Sequence, residues 1–194
     1  SILGIAAVKN DHDVIDALIS VGCDINYDGA AMEYDDALGH VGGATALHIA
    51  CVEGNTDVVI KLLGVPGVDM DAQDDYGVTP VYDAASWGYS DIVSILAGAG
   101  ADIEIPEYDG ATPVHAAASY GYTDTVKTLA GLGADLEALG GPEMDTPLAT
   151  AAYHGYMDVV EYLVEQGVDL NTRDRDNKTA LFWAIWSNYP HVIR

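Results

Sequence analysis

The sequence predicts an all-α solenoid, in which pairs of helices repeat along the chain and extended fingers of β-hairpin type join them. Three series of residues with one shared period predict this fold. Five threonines recur every 33 or 34 residues, a glycine follows each of the first four by nine residues, and a Gly-x-Asp triplet closes each unit. A fixed period of this length outweighs local helix and strand preferences. The series are Thr45, Thr79, Thr112, Thr146 and Thr179; Gly54, Gly88, Gly121 and Gly155; and, ending the triplets, Asp24, Asp69, Asp102, Asp135 and Asp169.

The first helix of each unit is predicted to begin at the threonine. In the unit that begins at Thr112, the threonine hydroxyl can cap the first turn. Pro113 suits the first helical position, because proline has no amide proton to leave unpaired there. Gly121 is expected to end this helix.

A second helix is predicted over 123–132 of the same unit. Val126, Leu129 and Leu132 are spaced three apart and are expected to share one apolar face. The positive φ that Gly133 adopts readily should end this helix. The two helices of a unit are therefore antiparallel, and the next segment, 135–138, returns the chain as an extended finger.

The segments 43–48, 77–88 and 110–121 resemble the ankyrin repeat, whose pattern runs Gly-x-Thr-Pro-Leu-His-x-Ala-Ala-x-x-Gly-His. The resemblance extends over nearly the whole chain, since its period holds from the first unit to the last. It implies a single array in which each unit buries its apolar face only against its neighbours. The units expected are approximately 1–26, 43–71, 77–104, 110–137, 144–171 and a partial 177–194.

Two segments depart from the repeat pattern. The first, 27–42, is an insertion rich in Gly, Ala, Asp and Tyr; it is either part of a binding face, offering Tyr27, Met32 and Tyr34, or a solvated loop. In the second, 140–145, Met144 stands where glycine is usual, so this turn is expected to differ locally.

The two ends of the chain carry apolar residues where polar capping surfaces are usual in solenoids, among them Ile2, Ile5, Phe182 and Val192. We therefore expect either that the sequence is a segment of a longer chain or that further repeats or partner subunits cover its ends.

The composition is strongly acidic, with 31 Asp and Glu against seven Lys and Arg and a formal net charge of −24. Such a surface repels phosphate backbones and anionic head groups, so nucleic-acid and membrane-surface partners are not expected. Two interpretations of the acidity stay open, namely attraction of a partner with a basic or mixed surface and adaptation to a saline environment. No stretch approaches the roughly 20 apolar residues of a membrane helix, which predicts a soluble, intracellular protein of unassigned compartment.

No catalytic, cofactor or metal site is predicted. His48 and His115 occupy the histidine position of the repeat motif, where the resemblance implies hydrogen bonds to the backbone of adjacent fingers. The other histidines are scattered and lack the spacing of zinc ligands, and no phosphate loop or nucleophile elbow is present. Cys23 and Cys51 are interpreted as small apolar residues.

Aromatic residues recur at the positions that contact partners in solenoids, the end of the inner helix and the tip of the finger. They predict a concave strip within an acidic rim, since exposed aromatic side chains often anchor interfaces. The alternative is partial burial between repeats, and Trp183 and Trp186 are candidates that could instead pack where a following repeat belongs. The tyrosines directly after the helix-ending glycine, Tyr89, Tyr122 and Tyr156, are expected to be structural. The strip comprises Tyr76, Trp87, Tyr108, Tyr120, Tyr153 and His154.

The resemblance also implies a modification. Asn26 and Asn171 end a Leu-x5-Asp-hydrophobic-Asn segment, the context in which iron-dependent oxygenases hydroxylate asparagine in ankyrin fingers. The same residues also fit the plain repeat consensus.

The predicted function is that of a non-enzymatic scaffold or adaptor, within a larger assembly or alone, that binds another protein through its concave face and finger tips. The alternative is that the chain is the regulatory repeat region of a larger enzyme or channel.

Overall fold

The computed structural model describes residues 1–28 and 42–189. Within these ranges the chain forms eleven helices, arranged as an inner row (odd numbers) and an outer row (even numbers). The helices are α1 (Ile2–Val8), α2 (His12–Ser20), α3 (Ala46–Val52), α4 (Thr56–Leu63), α5 (Pro80–Ser86), α6 (Ser90–Ala99), α7 (Pro113–Ser119), α8 (Thr123–Gly131), α9 (Pro147–His154), α10 (Met157–Glu165) and α11 (Ala180–Trp186).

Each inner helix packs against the inner helices of the neighbouring units, from α1 through α3, α5, α7 and α9 to α11. The outer helices α4, α6, α8 and α10 form a second row behind them. One continuous core runs between the two rows and is filled by alanine on the inner helices and by larger aliphatic residues on the outer ones. The predicted all-α solenoid of helix pairs is confirmed.

The inner helices begin as the sequence predicts, and a histidine completes two of the caps. The amide of Thr112 donates to Nδ1 of His115 at 3.2 Å, and Nε2 of His115 lies 3.0 Å from the carbonyl oxygen of Asp145 in the next finger. His48 does the same with Thr45 and the carbonyl of Val78. Because Nδ1 accepts, the proton of the neutral ring is on Nε2, and burial lowers the pKa of both histidines. Their structural interpretation is confirmed.

The inner helices end at residues with positive φ, and a tyrosine from the next unit packs over each of four such glycines. A methyl group added to Gly121 would lie 2.5 Å from Cδ1 of Tyr156, so only glycine fits beneath the ring. The same contact joins Gly54 to Tyr89, Gly88 to Tyr122 and Gly155 to Tyr189. The structural role predicted for the tyrosines that follow these glycines is confirmed.

The aspartates of the Gly-x-Asp triplets form turns and link the units. Asp102 accepts a hydrogen bond from the amide of Glu104, and the Glu104 carboxylate accepts one from the amide of Asp135 in the next unit, at 2.8 Å. The equivalent contacts recur from Asp24 to Asp169. Many of the carboxylates therefore satisfy backbone donors at the base of the fingers.

The structure corrects one local expectation and refines another. Leu132 is 43% exposed and caps α8, whereas Val126 and Leu129 are fully buried, so only two of the three predicted face residues reach the core. Met144 takes a φ of 57° and so adopts the backbone conformation of the glycine that it replaces. Of the predicted insertion at 27–42, only Tyr27, Asp28 and Gly42 are among the described residues, and Tyr27 is exposed. Met32 and Tyr34 lie outside the described residues.

Substitution of Gly121 by alanine tests the contact between units. We expect Gly121→Ala to lower the free energy of unfolding by about 2 kcal/mol or more, because φ of 76° strains alanine and the methyl group collides with Tyr156. Gly98→Ala is the matched control: Gly98 lies within α6, its added methyl group meets nothing within 4 Å, and helix propensity should raise stability by up to about 1 kcal/mol. Urea unfolding measures both, and equal effects of the two substitutions would contradict the packing argument.

Candidate partner-binding surface

The inner row carries exposed rings at the ends of two successive helices. Trp87 caps α5 and Tyr120 caps α7, with 53% and 58% of each residue exposed. Neighbouring helices pack about 8–10 Å apart, so rings at equivalent positions are spaced by about that distance. An extended segment of a partner could therefore contact one ring every few residues.

The finger tips add two more exposed aromatic side chains, those of Tyr76 and Tyr108. The amide of Tyr108 donates to the carbonyl oxygen of Tyr76 at 3.0 Å, and the Tyr108 ring covers Gly77. A similar backbone hydrogen bond joins Arg175 to Glu143 in later fingers. Contacts between successive fingers thus hold the tip residues in position.

Carboxylates between the rings belong to the fingers themselves. Asp74 accepts from the amides of Tyr76 and Val78, at 2.8 and 2.9 Å, and Glu107 accepts from the amides of Asp109 and Ala111. These acids therefore shape the turns, and they also give the rim its negative charge.

A buried acid and phenol lie on α5. Burial raises the pKa of Asp83, and the negative charge of Asp74 raises it further. Burial also raises the pKa of the neighbouring Tyr82, which occupies the histidine position of its unit. Among the described residues, no hydrogen bond to the Asp83 carboxylate is present.

The strip ends in an aromatic cluster on α9 and α11. The rings of Tyr153 and Trp183 meet edge to face with centroids 5.5 Å apart, and Tyr153 also contacts His154 at 4.9 Å. Partial burial lowers the pKa of His154. Phe182 stacks on Trp186 at 6.1 Å and meets Trp183 at 5.4 Å. The structure therefore brings together the last four predicted contact residues, and Phe182 joins them.

Trp183 and Trp186 differ in their surroundings. Trp183 is half-buried, and its Nε1 donates to Oδ2 of Asp174 at 2.8 Å, so part of its role is to tie α11 to its finger. Trp186 is 70% exposed, and within the described residues its indole N–H makes no such hydrogen bond. Of the two tryptophans, Trp186 offers the larger accessible ring.

The cluster borders a pocket of about 490 Å³, which we call the terminal pocket. Its lining combines rings and carboxylates, with Lys178 at one side. The Nζ atom of Lys178 lies 3.0 Å from Oδ2 of Asp176 and over the rings of Trp183 and Phe182, 4.7 and 5.1 Å from their centroids. Other residues of the lining are Glu143, Asp145, Tyr153, Trp183 and Trp186.

Asp145 has a strongly shifted pKa among the residues that line this pocket. Burial raises its pKa to about 6, aided by the negative charges of Asp174 and Glu143, while Trp183 and Lys178 act in the opposite direction. Its Oδ1 atom is buried and has no hydrogen-bond partner. A carboxylate oxygen that is buried without a donor is energetically costly, so this acid lowers the stability of the fold while it is ionised.

Sequence reasoning missed Asp145, Lys178 and Phe182. A signal was present, because the position before the threonine holds Ala44, Val78 and Ala111 in the earlier units and Asp145 and Lys178 in the later ones. Two opposite charges in an otherwise apolar column mark this end of the array as different.

The two candidate modification sites have different contacts. The Asn26 side chain accepts from the amide of Asp69 and donates to the carbonyl of Gly67, both at 2.8 Å. Asn171 is exposed, and its Nδ2 lies 3.4 Å from Oδ1 of Asp169. The Asn26 amide is therefore fixed between units, whereas that of Asn171 is held weakly.

The described ranges contain neither a cluster of metal ligands nor a helix that could span a membrane. No group of three or more His, Cys, Asp and Glu side chains within 1–28 and 42–189 is arranged to hold a metal ion. No helix in the same ranges is both long and apolar enough to cross a membrane.

Comparison with known families gives a match over nearly the whole chain. The model described as "Ankyrin repeats (3 copies)" matches three overlapping segments, 3–107, 47–140 and 136–194. The ankyrin resemblance inferred from the motifs is therefore confirmed.

Among curated proteins, this chain is similar over short segments to "SMC5-SMC6 complex localization factor protein 1" of Bos taurus and of Homo sapiens. The identities are 44% and 41% over 46 residues, which cover 24% of this chain and 4% of each relative. "Ankyrin repeat-containing protein P1E11.10" of Schizosaccharomyces pombe is 46% identical over 47 residues, covering 24% of this chain and 22% of that protein. The matches thus span less than a quarter of the length of each of these relatives.

The raised pKa of Asp145 predicts a pH-dependent effect of Asp145→Asn on stability. Above pH 6 Asp145 is ionised in the folded protein, and its ionisation costs more free energy there than in the unfolded chain. The substitution removes this cost, so it should raise the free energy of unfolding at pH 7.5 by about 1 kcal/mol after allowance for solvent screening. As the pH falls through 6 towards 4, Asp145 becomes protonated and this advantage should disappear. Urea unfolding of both proteins at pH 7.5 and 4.5 measures the difference.

The control for this experiment is Asp124→Asn, which removes the same charge from a side chain that is 91% exposed on α8. Its effect should stay within a few tenths of a kcal/mol. Titration of His48 and His115 is common to all the proteins compared and cancels in the differences. A destabilised Asp145→Asn protein at pH 7.5, or a difference that does not shrink at low pH, would contradict the prediction.

Proposed function

Because the chain belongs to the ankyrin-repeat family, whose arrays generally serve as protein-interaction modules, we propose that it binds a partner protein through its concave aromatic strip and finger tips. The observation that carries the proposal is the exposure of Trp87 and Tyr120, which cap two successive inner helices at the same position of the repeat. Exposed aromatic side chains that recur in this way are the usual anchors of interfaces.

The acidic rim would increase the rate of association with a partner more than it would increase the affinity. With a net charge of −24, the surface should draw a partner with a basic or mixed surface and repel nucleic acid. The matched family gives no support to catalysis, since ankyrin arrays are generally an interaction fold.

A second candidate function is that the array serves as the regulatory repeat region of a larger polypeptide such as an enzyme or channel. The relatives support this second candidate, because in the two mammalian proteins the matched segment is only 4% of the length. Cross-linking of the protein in its native extract separates the two, since links confined to one polypeptide favour the larger chain and links to another protein favour the adaptor.

The strip is tested by paired substitutions. We expect Trp87→Ala with Tyr120→Ala to weaken partner binding by about 30-fold or more, since each truncated anchor costs about 1–2 kcal/mol. Ile60→Ala is the matched control, because Ile60 is as exposed as Trp87 (52% against 53%) but lies on the outer helix α4. A zero-length carboxylate-to-amine cross-linker applied to native extract identifies the partner, and calorimetry with that partner gives the affinities.

If the double variant and Ile60→Ala both bind the cross-linked partner with the affinity of the parent protein, the concave strip is not the interface. If Ile60→Ala alone weakens binding, the outer face is the interface instead. Raising the ionic strength from low to physiological values should also slow association, and an unchanged rate would contradict electrostatic steering.

We further propose that Asn171 is hydroxylated by a separate iron-dependent oxygenase, and more completely than Asn26. An oxygenase must draw an extended segment into its own active site, and Asn26 would have to release its two hydrogen bonds at 2.8 Å to enter it. Peptide mass spectrometry of protein from native extract should show one added oxygen at Asn171 at higher occupancy than at Asn26. Synthetic peptides carrying the hydroxylated residue serve as standards, and full coverage of both sites without added oxygen would refute the proposal.

A further inference from the structure

We propose that the terminal pocket binds the guanidinium group of an arginine side chain supplied by the partner protein. This inference rests on the proposed function, since it assigns one contact of the same interface. It is carried by three features of the pocket, which are its rings, its charge and the hydrogen-bond acceptors of its carboxylates.

The rings provide the surface for a cation. Trp186 is 70% exposed, and it lines the pocket together with Trp183. A planar guanidinium stacks well on the face of an indole. The chain already shows that this cluster accepts a cation, because Nζ of Lys178 lies 4.7 Å from the centroid of Trp183.

The charge of the lining favours a second cation beside Lys178. Glu143, Asp145 and Asp176 line the pocket together with this one ammonium, so two negative charges remain uncompensated when all three acids are ionised. Lys178 is itself paired with Asp176 at 3.0 Å, which reduces its repulsion of an incoming cation. A neutral occupant would leave the excess of negative charge unchanged, and an anionic one would increase it.

Hydrogen bonding selects among cations. The lining carries the carboxylates of Glu143, Asp145 and Asp176, which accept N–H donors. A quaternary ammonium such as trimethyllysine has no N–H to donate to them. Arginine is favoured over lysine because its guanidinium is more weakly hydrated and can stack on an indole while it donates in plane.

The test uses the full chain labelled with ¹⁵N and four short peptides. Each peptide is acetyl-Gly-Gly-X-Gly-Gly-amide, where X is arginine, lysine, trimethyllysine or citrulline, the last being close to arginine in shape without its charge. The indole N–H signals of Trp87, Trp183 and Trp186, assigned by single substitutions, report where each peptide binds. We expect the arginine peptide to shift the Trp186 signal saturably at pH 7.5, with citrulline and trimethyllysine at least tenfold weaker and lysine in between.

Two substitutions test the residues assigned. Asp145→Asn should weaken arginine binding by about tenfold, while Asp124→Asn, which has the same change in net charge on exposed α8, should not. Trp186→Ala, at an exposed position that the fold does not need, should also weaken binding, here reported by the indole signal of Trp183. Dispersed backbone signals of each variant show that it is folded.

Equal binding of arginine and citrulline peptides, or equal effects of Asp145→Asn and Asp124→Asn, would overturn the inference. So would trimethyllysine binding as tightly as arginine. The proposed function has its own readout in the effect of Trp87→Ala with Tyr120→Ala on the cross-linked partner. A partner that binds through the strip and is unaffected by Asp145→Asn would therefore end the arginine inference and leave the interaction function in place.

Discussion

The structure depends most on one contact repeated along the array, a tyrosine ring that packs over the positive-φ glycine of the preceding unit. The glycine ends the inner helix, and the absence of a side chain allows the ring to approach closely, as between Gly121 and Tyr156. One residue thus sets both the end of a helix and the spacing to the next unit. Because this contact joins four successive units to the units that follow them, the exposed rings that cap α5 and α7 recur at the spacing of the repeat.

The carboxylates have two roles that are easily confused in a sequence with so many of them. Those in the fingers, such as Asp102 and Glu104, accept backbone amides within and between units, and would be needed whatever the protein binds. Their hydrogen bonds hold charge at fixed places along one edge. The field that would steer a partner is therefore a by-product of the residues that connect the fingers, and acidity by itself says little about which partner is bound.

The period of the sequence was sufficient to predict the helix pairs and the cap made by Thr112, and the resemblance to ankyrin repeats predicted the structural roles of His115 and Tyr156, because each depends on local geometry that recurs along the array. It could not predict the terminal pocket. Asp145, Lys178 and Phe182 occupy positions where the repeats differ from one another, and their effect arises from contacts between units that a pattern within one unit does not contain. Leu132 shows the same limit, since its spacing fits the apolar face but the helix ends before its side chain reaches the core.

Two acids of the inner face, Asp83 and Asp145, have strongly raised pKa values and reduce the stability of the fold. Burial raises the pKa of Asp83 and of Asp145, which means that each carboxylate is held in the folded chain at a cost that alanine or valine at the same position would not incur. Alanine at Ala116 and Ala111 shows that the repeat accommodates apolar residues at these two positions. Packing thus gives no reason for either acid. At pH values where they are ionised, both acids therefore lower the free energy of unfolding relative to the apolar residues that other units carry at the same positions.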